Sequence, residues 1–295
     1  MMTTNVLTPT PASEAGGMSR AVRGAFHLMA RRPGYKVATV VWGLQIFIFA
    51  YAINYAVVST LPAEQTPAGL LASLQPGATG SYMLASIPVY GAPVFIIVGA
   101  MVTAGEYRWG VLQTLLARFS NRTAFLLGRW IALVAFAAIV TVLSIALSVV
   151  ASVVIALMLD EPIAFPPFAE YIVEFLAAGL MIVALATFGF FLGVLTRNVM
   201  AAAVVGIAWT IGVETLVVGS LAGVLPLFET LRSGLLTINA GSLSTAIAES
   251  TGLDVSGTFG ATTAVDGGLA PVILGIWTVV ALAASVFLFR RRDVS

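Results

Sequence analysis

Six stretches of the chain keep an apolar character for about 20 residues or more, the length that crosses roughly 30 Å of hydrocarbon at 1.5 Å per helical residue. They cover residues 37–58, 84–104, 130–159, 172–195, 199–218 and 269–289, and each predicts a transmembrane helix. The second is interrupted by Pro88, Gly91, Pro93 and Gly99. Each proline frees a backbone carbonyl and invites a kink. The third is longer than a perpendicular crossing needs, which predicts tilt or extension beyond the bilayer. Only Thr196, Arg197 and Asn198 separate the fourth from the fifth, so these two form a tight hairpin.

Two shorter stretches have a different period. In residues 18–32, Met18, Val22, Ala25, Phe26 and Met29 share one helical face, and Arg20, Arg23, His27 and Arg31 share the other. This predicts an amphipathic helix at the membrane interface, ended by Pro33 and Gly34; a basic flank that only fixes topology reads equally well. In residues 105–119, Trp109, Leu112, Leu115, Leu116 and Phe119 fall on one side, opposite Glu106, Gly110, Gln113, Thr114 and Ala117. That pattern predicts a helix lying along the membrane surface. Ser120 and Asn121 then offer side-chain oxygens to cap the helix that leads into the third span.

The remaining segments are polar or long. Residues 1–17, rich in Thr, Pro and Ala, predict a disordered tail, leaving 18–295 as one six-span domain. The 220–268 connection predicts a short helix around 227–236 and a Gly-, Ser- and Thr-rich portion from Gly241 onwards. A segment this long serves either as a lid over an exit or as a partner contact, and the sequence does not separate the two.

Composition sharpens this picture into an all-α integral membrane protein. With 59% hydrophobic and 9% charged residues, 295 residues cannot coat a soluble globule. Charge sets the orientation. Of the fourteen Lys and Arg residues, all but Arg232 fall on one side if the N-terminus is cytoplasmic, so both termini are expected in the cytoplasm of a cell-membrane protein. Most acids, including Glu64, Asp160, Glu161, Glu170, Glu229, Glu249, Asp254 and Asp266, go to the opposite loops, with Glu174 and Glu214 near outer helix ends. A net charge of +1 leaves no electrostatic footprint for nucleic acid. No apolar core in the first 35 residues predicts a cleaved signal peptide, so the first span directs insertion.

Candidate chemistry is sparse. The chain has no cysteine, one histidine (His27) and one lysine (Lys36), and Lys36 follows no G-x-x-x-x-G frame. Thiolate metal sites, Ser/His/Asp catalysis and direct ATP binding by a phosphate loop therefore have no residues to carry them. Glu214 lies about 22 Å along the fifth span from its inner edge. Snorkelling or pairing with Arg232 is the favoured reading there, ahead of a substrate or gating role. Gln45 and Asn54 in the first span and Trp209 in the fifth either line a cavity or bond between helices, while Gly189 and Gly193 mark close helix packing.

Gly105, Glu106, Gly110, Ser120, Arg122, Phe125, Leu127, Gly128 and Arg129, followed far along the chain by Phe289–Asp293, resemble the permease subunit of type-2 ABC exporters. The six spans, the basic N-terminal helix and the long segment before the last span agree with that likeness. The resemblance implies a transport subunit without its own ATPase site. ATP and Mg would bind a separate nucleotide-binding partner, and a second permease copy or paralogue would complete the path. It also implies that the 105–119 helix is a cytoplasmic coupling helix contacting the ATPase through Glu106, Arg108, Trp109, Gln113 and Arg118. The translocation path would run near Pro93, Phe95, Trp209 and Glu214 and carry an amphipathic or hydrophobic substrate such as a drug, lipid or peptide. The chain itself is expected to bind no cofactor, no metal and no nucleic acid, and to be surrounded by membrane lipids. The alternatives are an ion-coupled secondary transporter, which calls for charge at mid-membrane, and a membrane-embedded enzyme of lipid metabolism.

Overall fold

A computed structural model describes residues 14–62, 64–66, 69–105, 121–221, 224–253, 255 and 260–291. All regular structure among them is helical. Six helices are long and apolar enough to cross a membrane: Pro33–Thr60, Ser81–Ala104, Arg122–Met158, Phe168–Thr196, Val199–Leu221 and Ala270–Arg291. These match the six expected stretches, with ends displaced outward by up to about two turns where polar residues extend a helix past its apolar run. Pro33 begins the first span rather than merely stopping the helix before it, because a proline in the first helical turn loses no hydrogen bond.

The second and fourth spans form the centre. They run parallel, Ile96 beside Gly189 and Ala100 beside Gly193, and a Cβ at either glycine would strike the second span's backbone. Gly99 makes the reciprocal contact with the Ala186 carbonyl. Small residues allow this approach in a lipid environment, where helix association depends on packing and interhelical hydrogen bonds. Thr103 Oγ1 adds one such bond, donating to the Phe190 carbonyl at 3.1 Å. The G-x-x-x-G pair is therefore an internal packing device. The first and third spans close one side: Trp42 Nε1 donates to Ser144 Oγ at 2.8 Å, and Trp42 meets Phe95 edge-on at 5.2 Å.

The N-terminal helix runs over Glu14–Arg31 and packs along the beginning of the third span, where Gly128 admits Ala21. Its buried residues are Ala21, Ala25 and Met29, whereas Phe26 is exposed. The face against protein is thus rotated about one residue from the most apolar face of the sequence pattern, because the contact selects small side chains. At the same end of the bundle, Arg129 Nη1 donates 2.7 Å to the Val102 carbonyl and its guanidinium lies 4.8 Å over Phe125. That bond ties the end of the second span to the start of the third. Asn121 caps the third span as expected, accepting from the backbone N–H groups of Thr123 and Ala124 at 3.0 and 3.1 Å. The hairpin between the fourth and fifth spans turns on Arg197 in the left-handed region (φ 55°), and Asn198 caps the fifth span by accepting from Met200 N at 2.9 Å.

Because the spans alternate in direction, the described basic residues apart from Arg232 gather at one end, with His27. Glu64, Asp160, Glu161, Glu170, Glu229, Glu249 and Asp266 lie toward the other. The bundle thus has a basic end and an acidic end.

The connection between the last two spans departs from expectation. Its described residues hold two helices, Pro226–Arg232 and Leu236–Ser250, and the second takes in the start of the Gly-, Ser- and Thr-rich portion. That helix is sunk into the acidic end of the bundle, packed against the second, fourth, fifth and sixth spans. Its glycine and hydroxyl residues let it fit: a Cβ at Gly241 would strike the Gly260 carbonyl, and Gly260, at φ 110°, itself abuts the Ala85 carbonyl of the second span. The returning chain is pinned along the helix, Thr262 N donating to Thr245 Oγ1 at 3.1 Å and Val265 N to Ser242 Oγ at 3.2 Å.

Candidate functional site

Three of the spans contain a π-helical stretch: Ile46–Ala52 in the first, Ile87–Gly91 in the second and Ala208–Val218 in the fifth. The second of these includes Pro88, one of the two prolines expected to disturb that span. A π turn sets residues five apart on the same face and occurs often at functional sites. In the fifth span this spacing is visible twice: Trp209 Nε1 donates to Glu214 Oε1 at 2.7 Å, and Thr215 Oγ1 donates to the Thr210 carbonyl at 2.9 Å. The π-helical stretches of the second and fifth spans both contact the sunken Leu236–Ser250 helix.

Glu214 is fully buried, and its partner is not Arg232. Thr237 donates to Glu214 Oε2 through its backbone N–H at 2.7 Å and through its hydroxyl at 2.6 Å. The residue preceding the sunken helix is Leu235, which has no capping side chain, so the carboxylate of the fifth span supplies the cap. A helix N-terminus offers unpaired N–H groups and a partial positive charge, and both favour a carboxylate there. The turn before that helix is held from two further sides. Asn239 Nδ2 donates to the carbonyls of Ser233 and Leu235 at 2.8 and 2.6 Å, and Trp277 Nε1 of the sixth span donates to Gly234 O at 2.8 Å. Glu214 is therefore a latch between the fifth span and the sunken helix.

A second carboxylate, Glu174 of the fourth span, is 7% exposed and occupies different surroundings. The backbone N–H of Gly80 faces it, and a Cβ at Gly80 would overlap the end of the Glu174 side chain, which would then have to turn aside. Oε2 of Glu174 has no hydrogen-bond partner. Nearby, Tyr51 donates its hydroxyl to the Thr79 carbonyl at 2.7 Å, and Tyr171 lies beside the Thr79 hydroxyl. Ser148 of the third span is fully buried beside the Tyr51 hydroxyl. Among the described residues, no basic side chain contacts either carboxylate. No group of three or more His, Cys, Asp or Glu is placed to hold a metal among them.

The four residues expected along a translocation path are placed as follows. Trp209 and Glu214 are joined directly, Trp209 reaching the outside of the bundle at 37% exposure while Glu214 is enclosed. Phe95 is buried against Trp42 of the first span, and Pro93 is half-buried in the first turn of the α-helical part of the second span, Ala92–Ala104. Glu106, Arg108, Trp109, Gln113 and Arg118, expected on the coupling helix, lie outside the described residues. Gln45 and Asn54, read as cavity-lining or interhelical groups, do neither visibly: Asn54 Nδ2 bonds the Ala50 carbonyl of its own helix at 3.0 Å, and Gln45 Oε1 is buried without a partner. The pattern placed Glu174 only near an outer helix end and overlooked Ser148 and Thr237. Serines at 144, 148 and 152, spaced four apart along one face of the third span, were the available signal for Ser148.

A family model described as "Protein of unknown function (DUF2705)" matches residues 40–295. The chain belongs to the DUF2705 family. No curated protein matches the chain. The match takes in nearly all of the six spans, the sunken helix and both buried carboxylates of this DUF2705 protein, and begins after the N-terminal helix.

Proposed function

We propose that this DUF2705 protein is the transmembrane permease subunit of an ATP-driven exporter of the type-2 ABC class. Its basic end faces the cytoplasm, and a separate subunit hydrolyses ATP. One observation carries the reading: Gly105 and Asn121, which flank residues 106–120, both lie at the basic end. There the Arg129–Val102 bond joins the spans on either side of the intervening segment, and the N-terminal helix packs alongside. A force applied to residues 106–120 would reach the second span directly. That span leads through the π turn at Pro88 to the sunken helix, so motion at the basic end has a packed route to the Glu214 latch. In this reading the sunken helix is the lid over the exit, and a second permease copy or paralogue completes the path for an amphipathic or hydrophobic substrate.

The test is co-purification of the tagged full chain with its ATPase, followed by Glu106→Ala. Stimulation of ATP hydrolysis by the permease is expected to fall at least about ten-fold, a loss of about 1.4 kcal/mol of coupling, while the complex still assembles. An undiminished rate, labelling of residues 105–122 from outside the cell, or failure to recover any ATP-hydrolysing protein would overturn the proposal. The buried Glu174, lacking a basic partner, favours ion-coupled transport as the second reading.

A further inference from the structure

A groove of about 750 Å³ runs beside the sixth span at the basic end. Leu127 of the third span forms one wall, the stretch from Val279 to Phe287 of the sixth forms the other, and Arg290 and Arg291 stand at one end. The two spans meet near that charged end, where the Phe125 and Phe289 rings stack at 6.5 Å. Val279 is 66% exposed and Phe287 52%, so the groove opens sideways, and in a bilayer that side is lipid.

Its length limits what can lie in it. From Val279 to Arg290 the helix rises roughly 16 Å, about half of the roughly 30 Å of hydrocarbon that a bilayer presents. The groove therefore runs the depth of one leaflet, apolar along its length and cationic where headgroups lie. Arg291 is held there, its guanidinium 4.2 Å over the ring of Phe287, which leaves the N–H edges of the fork to donate. No acidic side chain lines the groove among the described residues. Two guanidinium groups side by side match a phosphate. A headgroup that carries its own ammonium group would set a cation against them, so a headgroup whose charge is the phosphate alone fits better. A second copy of the chain fits worse. Related by an axis along the membrane normal, it would bring its own basic end, with the same arginines, to the same level.

We infer that this groove binds one anionic phospholipid, its phosphate between Arg290 and Arg291 and one acyl chain lying along the sixth span toward Val279. The inference does not depend on the ATP-driven reading, since the lipid is measured with no ATPase present.

The experiment uses the purified, delipidated full chain in a non-ionic detergent. Phosphatidylglycerol and phosphatidylcholine with identical acyl chains are titrated in turn, and bound lipid is counted by native mass spectrometry. One phosphatidylglycerol per chain is expected to bind saturably, at least about ten-fold tighter than phosphatidylcholine. Arg290→Gln with Arg291→Gln is expected to remove that preference. Ala283→Phe places a ring in the groove from an exposed position and is expected to eliminate the retained lipid. Arg23→Gln with Arg31→Gln removes the same charge from exposed positions of the N-terminal helix and is expected to leave the preference intact. Equal affinity for the two lipids would overturn the proposal, as would a loss in the Arg23 and Arg31 variant equal to that in the Arg290 and Arg291 variant, which would indicate diffuse attraction to the basic end. Binding unchanged by Ala283→Phe overturns it too, and so does a dimer that Ala283→Phe dissociates while no lipid is bound. If a variant does not fold, the comparison of the two lipids on the parent chain decides.

Discussion

Glu214 and Glu174 carry the same charge into the same apolar bundle, and the structure treats them in opposite ways. Glu214 receives three hydrogen bonds, from Trp209 Nε1 and from the backbone and hydroxyl of Thr237, and stands at the start of a helix. Glu174 faces one backbone N–H and leaves Oε2 unpaired. Burial alone therefore does not say what a carboxylate in a membrane protein is for. The donor count does: a saturated carboxylate joins two elements, and an unsaturated one still has capacity for a ligand.

The largest effect should come from breaking the saturated site. Glu214→Ala strands the Trp209 and Thr237 donors in an apolar interior and removes the cap of the sunken helix, a loss of about 3 kcal/mol. The expected outcome is a lower unfolding midpoint with faster amide hydrogen exchange confined first to residues 236–250. Exchange that stays slow there would show that Glu214 is not the latch. A smaller effect is expected at the other carboxylate when its packing is disturbed. Gly80→Ala drives a methyl group into the Glu174 carboxyl, an overpacking cost of about 1–2 kcal/mol, and displaces that carboxylate without touching its charge. Midpoint measurements on both variants, side by side, rank the two sites directly. The smallest change is predicted for Glu174→Gln, within about 1 kcal/mol of the parent and of either sign, because the amide keeps the shape of the side chain and few contacts are lost. A loss as large as that of Glu214→Ala would erase the distinction between the two carboxylates.

The same contrast shows what pattern reading captures. Glu214 was expected to snorkel or to meet Arg232, since distance along a helix gives depth but not neighbours. Its partners come from Trp209, one π turn away, and from Thr237, 23 residues later in the chain. Neither the π turn nor the return of residues 236–250 into the bundle leaves a periodic trace. The stretch beginning at Gly241 has the glycine, serine and threonine content of a loop, yet those small residues are what a helix needs to press against the Gly260 carbonyl. Composition favours a loop and packing favours a helix, and packing decides. By contrast Asn121 and Asn198 were legible as caps because the interaction spans two or three residues. Gly189 and Gly193 were legible as packing residues because four-residue spacing fixes a helix face.

By itself the sequence determined the number of spans, their boundaries to within about two turns and the segregation of basic from acidic ends. Each of these follows from a local quantity: how many consecutive residues lipid tolerates, and where charge is placed between them. Only the tertiary structure decided that residues 236–250 sink into the bundle, that Glu214 caps them and that Glu174 is left facing a single backbone N–H. Those outcomes depend on which distant surfaces meet, and in a bilayer, where every apolar face is equally welcome to lipid, that choice rests on shape and on the pairing of a few buried polar atoms.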